Sequence, residues 1–292
     1  MGTLLALSLP DDVLEHHLRY VTVAFETAAR WERVMSRHDR DSELGRLNRT
    51  AGSAAGRRAP ELAAVLRAAR RLSDRLHGAF DPTVGPLLDL WRRAARRGRF
   101  PSARAVAAAL AGVGAAALEI TGDRVALPHR GASVDLDGFG KGLTLDRMAA
   151  TLRRDRCPSA FLNFGESSLK AVGRAPRGRW SVRLRHPFGG FAGEFTVRDA
   201  CSTSATFGRP LRLGGRIIGD VIDPRNGIPV TREAQVTVVS SSAAIAEAVS
   251  TALLVLGRGA VDEIANRMGV DVCWIDRSGI HTTPGFVLRR AA

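Results

Sequence analysis

The stretch Val134-Asp135-Leu136-Asp137-Gly138-Phe139-Gly140-Lys141-Gly142-Leu143 decides how this chain is read. Its apolar lead-in predicts a strand over Ser133–Leu136, its three glycines predict a turn, and Leu145, Met148 and Leu152 predict a helix over about 143–154. A turn of that kind presents main-chain N–H groups at the positive end of a helix dipole, and Lys141 adds an ammonium. Phosphate is drawn to such a place. The run is not a Walker A loop, because Gly142 stands where a Ser or Thr would hold Mg²⁺. The same residues equally suit a glycine-rich turn with a solvated lysine. Lys141 stands out for another reason: the chain uses 41 arginines and two lysines.

At 292 residues and 45% hydrophobic, the chain is long enough for one large domain or two intertwined lobes. The expectation is a single unit over 1–292, helix-rich over about 1–115 and sheet-rich over about 116–292. A net charge of +14 and a pI of about 11.3 raise the question of a polyanionic partner. The arginines, however, are spread through every expected helix, aromatics make up 5%, and no stacking platform or zinc-finger spacing occurs. No specific nucleic acid is therefore expected as a partner. Cys157, Cys201 and Cys273 are odd in number and far apart, which reads as buried thiols in a reducing compartment. The opening Met1–Pro10 lacks the basic lead of a signal peptide, and no stretch reaches membrane-spanning length. A cytoplasmic address follows as the expectation.

Along the chain, Leu4–Leu9 predicts a strand and Asp11 and Asp12 cap a helix reaching Met35. Ser36–Asn48 reads as loop. Helices follow from Pro60 to Gly78 and over Gly98–Ala111, with Phe80–Trp91 between them as a Pro/Gly-punctuated turn. Leu118–Ile120 and Val125–Leu127 form a hairpin about Gly122-Asp123. Strands are expected at 160–164, 180–185, 194–198, 211–218 with a turn at Gly214-Gly215, and 235–240. A strongly apolar helix occupies Ser241–Leu256 and stops at Gly257, and a short one ends at Met268 with Gly269 as its cap. Val270–Ile275 and Phe286–Leu288 close the sheet. Helices and strands come in blocks, which predicts an α+β fold with largely antiparallel sheets and packed helices.

Two constellations bear on chemistry. Glu247 and Thr251 lie four apart on one helix face and supply two hard oxygens suited to Mg²⁺, although a buried Thr also bonds readily to the carbonyl four residues back. The segment Gly219–Val230 reads as a strand entering an Asp-Pro-Arg-Asn-Gly turn. Asp223 is explained there by capping, whereas Asp220 inside an apolar strand is a candidate acid/base group.

In chain order, the opening Met-Gly-Thr, Met35–Asn48, Phe80–Trp91, the Val134 run, Asn163-Phe164-Gly165, Ile222–Val230 and the helix bearing Thr251 resemble the ApbE family, the FAD:protein FMN transferases. The resemblance covers nearly the whole chain. It implies a two-lobed fold related to the T-fold and Mg²⁺-dependent transfer of FMN from FAD to a Thr or Ser hydroxyl of an acceptor flavoprotein, with AMP released. It also implies that the Gly140 carbonyl, the Glu247 carboxylate and the Thr251 hydroxyl hold Mg²⁺ and that Lys141 faces the pyrophosphate. By the same resemblance Met35, His38, Ser42, Asp81, Gly138, Lys141, Gly165, Glu166, Ser204 and Asp223 bind FAD, and Asp220 and Lys141 are catalytic.

This chain departs from the family pattern at several of these places. Gly140 stands for a usual Ala, Glu247 for Asp, Asp220 for His and His38 for Tyr. Ser204-Ala205-Thr206-Phe207 replaces Ser-Gly-Asp-Tyr, and Glu166-Ser167 replaces Gly-Asp. Two other classes stay open: a relative that binds FAD or hydrolyses it to FMN and AMP without an acceptor, and a basic nucleic-acid-interacting protein.

Overall fold

A computed structural model describes residues 3–10, 17–176, 178–206 and 211–289. The expected capping by Asp11 and Asp12 lies outside these residues, as do Met1, Gly2 and Phe207. In chain order the elements are β1 (Leu5–Ser8), α1 (His17–Met35), α2 (Glu43–Arg49), β2 (Ser53–Arg58), α3 (Pro60–Arg75), α4 (Gly85–Arg97), α5 (Ala103–Leu110), β3 (Glu119–Thr121) and β4 (Arg124–Leu127). Then come α6 (Gly140–Arg154), β5 (Ser159–Phe164), β6 (Ser168–Gly173), β7 (Trp180–Arg185), β8 (Phe191–Val197), β9 (Ala200–Ala205), β10 (Leu211–Leu213), β11 (Arg216–Ile218), β12 (Ala234–Ser240), α7 (Ala243–Leu256), α8 (Val261–Met268), β13 (Asp271–Asp276) and β14 (Gly279–Thr282). The fold is α+β. Two compact units are interleaved in sequence: Met1–Trp31 with Phe139–Ala205 and Ala234–Ala292, and Glu32–Gly138 with Thr206–Glu233.

The first unit is built on a seven-stranded sheet in the order β1-β5-β6-β9-β12-β13-β14, antiparallel throughout. Strand alternation sorts its side chains onto two faces. Ala160, Leu162 and Phe164 of β5, Val172 of β6 and Ala200 of β9 pack against Leu145, Met148, Ala149 and Leu152 of α6. On the opposite face Leu169, Ala171 and Cys201 meet Leu184, Phe195 and Val197 of the β7–β8 hairpin, together with Phe286. Lys170 and Ser204 therefore share the helix-covered face. The second unit holds the small sheet β2-β4-β3 and the β10–β11 hairpin, whose Leu213 and Ile218 join Leu87, Trp91 and Ala94 of α4 in a core.

Several expectations require correction. Ser36–Asn48 is not all loop: the Ser42 hydroxyl caps α2 by accepting the Gly45 N–H at 2.8 Å, and Leu44 and Leu47 bury one face. Phe80–Trp91 is not a turn throughout, since Pro86 sits in the first turn of α4 and Leu87, Trp91 and Ala94 recur at helical spacing toward the core. Gly98 ends α4 in a left-handed conformation, so the next helix starts only at Ala103, capped by Ser102. Ser133–Leu136 forms no strand. Both main-chain groups of Val134 bond to the Asn48 side chain, at 2.8 and 2.9 Å, and the Asp135 N–H donates to the Pro82 carbonyl at 2.8 Å. Nor does Phe286–Leu288 close the sheet. β14 takes that edge, and Phe286 fills the core beside the β7–β8 hairpin. β2, β6 and β9 are strands that the sequence pattern did not announce.

Candidate active site

The main-chain donors at the start of α6 find a partner far along the chain. Phe139 precedes the helix with φ −151° and ψ −34° and provides no side-chain cap. The Gly142 N–H instead donates to Glu247 Oε2 at 2.7 Å, and Lys141 Nζ donates to Glu247 Oε1. Glu247 lies on α7 and is 2% exposed, so its charge is met by an ammonium and a helix N-terminus where water cannot reach. Only glycine fits at 142: a Cβ there would stand 2.3 Å from the Ala243 carbonyl oxygen and 2.6 Å from the Ala244 nitrogen. The missing Walker Ser or Thr thus has a steric cause. α6 and α7 touch backbone to backbone at that point.

The other metal-ligand candidates lie in the same unit. The Gly140 carbonyl accepts the Thr144 hydroxyl at 2.8 Å. Thr251 Oγ1 donates to the Glu247 carbonyl at 3.0 Å, the back-bond that its helical spacing allowed. Ser204, on β9, has its hydroxyl 2.8 Å from that of Ser250 and 3.3 Å from that of Thr251. Ser204 therefore meets the polar face of α7 beside Thr251. Gly165 and Glu166 form the β5–β6 turn with φ of +65° and +55°, the second being unusual for a residue with a side chain. Glu166 is exposed, its N–H bonds to Asn163 Oδ1 at 2.9 Å, and its carboxylate pairs with Arg185 at 3.6 Å, so these contacts do not join it to the α6–α7 group.

In the second unit, several of the expected flavin-site residues have local structural work. Met35 is buried at the end of α1 and His38 is exposed. Besides capping α2, the Ser42 hydroxyl bonds to the Ser36 carbonyl. Asp81 accepts the Thr83 N–H at 2.8 Å, the Thr83 hydroxyl at 2.5 Å and the Ser73 hydroxyl at 3.3 Å; burial pushes its carboxyl above the ordinary range despite those bonds. Asp223 accepts Arg225 Nε at 2.8 Å and the Arg225 N–H at 2.9 Å, as the turn reading expected. Burial works against its charge, yet the Arg225 hydrogen bonds and charge together hold the carboxyl below its usual value. Asp220 is half-buried and lies between the end of β11 and the Ile222–Pro229 bridge, not inside a strand as expected. Gly138 is the last residue of this unit's first segment.

Two charged groups were missed. Arg37 is clamped by Asp89, at 2.9 Å to both oxygens, and by Asp135, which pins the segment running toward Gly138. Lys170 is buried on the helix-covered face of the main sheet. The scarcity of lysine was the one signal that singled it out.

The family model described as the ApbE family matches residues 1–274. A Rhodobacter capsulatus protein named FAD:protein FMN transferase is 34% identical over 217 residues, covering 72% of this chain and 41% of that protein. The chain therefore spans less than half of that relative's length. A Klebsiella pneumoniae protein of the same name is 28% identical over 262 residues, covering 85% of this chain and 74% of its own. The crystal structure of the ApbE protein from Thermotoga maritima superposes with a TM-score of 0.84 at 25% identity, covering 97% of this chain and 94% of the other.

Proposed function

Because the chain belongs to the ApbE family, we propose that it transfers FMN from FAD to a Thr or Ser hydroxyl of an acceptor flavoprotein and releases AMP. The hydroxyl oxygen bonds to the flavin-side phosphorus as the pyrophosphate bond breaks, and the AMP phosphate carries away the electron pair. The observation that carries this reading is the start of α6, where Lys141 and the Gly142 N–H converge on a buried carboxylate of α7. Phosphoryl transfer gains most of its rate from positioned positive charge, and Lys141, whose side chain is 23% exposed, supplies an ammonium at that point.

The donors available for a metal are a carbonyl of Gly140, a carboxylate of Glu247 and a hydroxyl of Thr251, all hard oxygens. Glu247 is buried yet paired, and Thr251 spends its proton on a carbonyl, leaving its oxygen lone pairs as acceptors. That donor set fits Mg²⁺, which would supply charge neutralisation at the pyrophosphate. Asp220 is assigned as the base that takes the acceptor proton, in the place where the family commonly has His. Met35, His38, Ser42, Asp81, Gly138, Gly165, Glu166, Ser204 and Asp223 are assigned to FAD contact. The three cysteines are buried free thiols, two of them with their pKa pushed up to about 12 by burial, so they are poor nucleophiles and take no part in the proposed reaction.

The test is incubation with FAD and Mg²⁺, with and without an acceptor protein bearing a target Thr. The expected result is an acceptor heavier by one FMN and an equal amount of AMP. AMP released at the same rate without acceptor would establish the hydrolase reading. No consumption of FAD in either case would overturn both.

A further inference from the structure

The same two helices are joined a second time. Asp146, on α6, caps the N-terminus of α7: Oδ2 accepts the Ser242 hydroxyl at 2.6 Å and the Ala244 N–H at 3.1 Å, and Oδ1 accepts the Ala243 N–H at 2.9 Å. This carboxylate serves a helix other than its own. It is held in turn by Lys170 of β6, whose ammonium lies 3.2 Å from Asp146 Oδ1, 3.0 Å from Asp199 Oδ1 and 2.7 Å from the Ser241 carbonyl oxygen. Lys170 is 2% exposed. An ammonium has three donors on one compact centre, and here three acceptors meet it. The planar fork of arginine cannot satisfy that arrangement in a closed site, which accounts for a lysine in a chain that otherwise uses arginine forty-one times.

Four residues on from Gly142, Asp146 sits one helical turn away on the same side of α6. The α6–α7 contact thus has two anchors: the backbone touch at Gly142 with its bond to Glu247, and the Asp146 cap buttressed from the sheet by Lys170. We propose that Asp146 and Lys170 are a positioning pair that sets the Glu247 carboxylate against Lys141 and the Gly142 N–H. Its consequence for catalysis rests on the transferase reading above. Neither residue touches substrate; each acts through the placement of α7.

Hydrogen exchange of the whole 292-residue chain, read at the Gly142 amide and at Ala243 and Ala244, tests the pair in Asp146→Asn and Lys170→Arg. Asp199→Asn serves as the matched control, because it removes a Lys170 partner without touching α7. Expected is a tenfold or greater acceleration at Gly142, an amide that Asp146 does not contact, with little change there in Asp199→Asn. Titration of MgCl₂ alone into the same variants should give affinity about tenfold weaker than wild type for Asp146→Asn, in the range usual for lost outer partners of a metal ligand. Should Asp146→Asn fail to fold, Ser242→Ala, which removes the hydroxyl bond to Asp146 and the hydroxyl's own cap on the Ile245 N–H while leaving the Asp146 bonds to Ala243 and Ala244, is expected to move Gly142 exchange in the same direction by a smaller factor. Lost protection at Ala243 and Ala244 with Gly142 unchanged would reduce Asp146 to a local cap and overturn the proposal. Wild-type protein that leaves FAD unconsumed, with the Gly142 result intact, would defeat the transferase reading and leave the positioning pair standing.

Discussion

A carboxylate as deeply buried as that of Glu247 is tolerable only when charge and donors meet it, and removing its charge leaves those donors stranded. For Glu247→Gln we therefore expect loss of Mg²⁺-dependent AMP release together with a drop in stability of about 1–3 kcal/mol, since Lys141 and the Gly142 N–H both lose an anionic acceptor. Thr251→Val should abolish the same activity at a smaller cost of about 1 kcal/mol, because its hydroxyl bonds only within the helix and to a neighbouring serine. AMP release and thermal denaturation measured on both variants check this; full activity in either would place the metal elsewhere. Asp220→Asn separates base from bystander. Loss of transfer by about two to four orders of magnitude with FAD binding kept is the expected outcome, and an unchanged rate removes the catalytic role. Asp223 gives a pH signature. Its folded pKa lies below the ordinary 3.8, so its contribution is present above that value and fades as pH falls through the lower folded one. Arg225 is 42% exposed, so solvent screening limits the pair to under about 1 kcal/mol. Arg225→Gln should be destabilising near neutral pH, with the gap to wild type closing in acid denaturation scans below 3.8.

At the scale of elements, the α6–α7 contact sets helix propensity against packing. Gly142→Ala would by propensity alone stabilise α6 by about 1 kcal/mol. The new Cβ, though, meets main-chain atoms of Ala243 at 2.3 and 2.4 Å, and backbone cannot swing aside as a side chain does. Packing should win, with a net loss of about 1–3 kcal/mol visible as a lowered Tm. A raised Tm would mean that α7 shifts freely. The amphipathic α3, the apolar α7 with Gly257, and α8 with its left-handed Gly269 were legible because periodicity and caps agree within each segment. α4 was not, because its Pro and Gly lie in its first turn, where they start a helix, and were read as breaking one. β9, Ala-Cys-Ser-Thr-Ser-Ala, carries little hydrophobic signal of its own and is a strand because β6 and β12 flank it. The site was half legible for the same kind of reason. The glycine-rich approach to α6, whose helix already begins at Gly140 where a turn was expected, and the Glu247/Thr251 spacing are local facts, whereas the pairing of Gly142 with Glu247, 105 residues away, and the Lys170–Asp146 contact exist only in three dimensions.

For the whole molecule, the net charge of +14 is spread over many arginines, several already occupied by carboxylates, as Arg37, Arg153, Arg225 and Arg267 are. The ligand that discriminates between readings is therefore a particular nucleotide, not polyanions in general. FAD alone joins a flavin to a pyrophosphate and an adenosine; FMN lacks the pyrophosphate and ATP lacks the flavin. Any ligand that binds only the folded state stabilises it by an amount set by its concentration over Kd, about 2.7 kcal/mol at a hundredfold excess. At a few degrees per kcal/mol in a chain of this size, FAD should raise Tm by about 5 °C. FMN and ATP at the same concentration should fall well short, since each leaves part of the assigned contacts unmade. The FAD shift should also grow with added Mg²⁺ in wild type and lose that growth in Glu247→Gln, because a metal held by this carboxylate is bound more tightly when a pyrophosphate shares it. An ATP shift equal to that of FAD would mark a generic nucleotide site and remove the flavin from the reading.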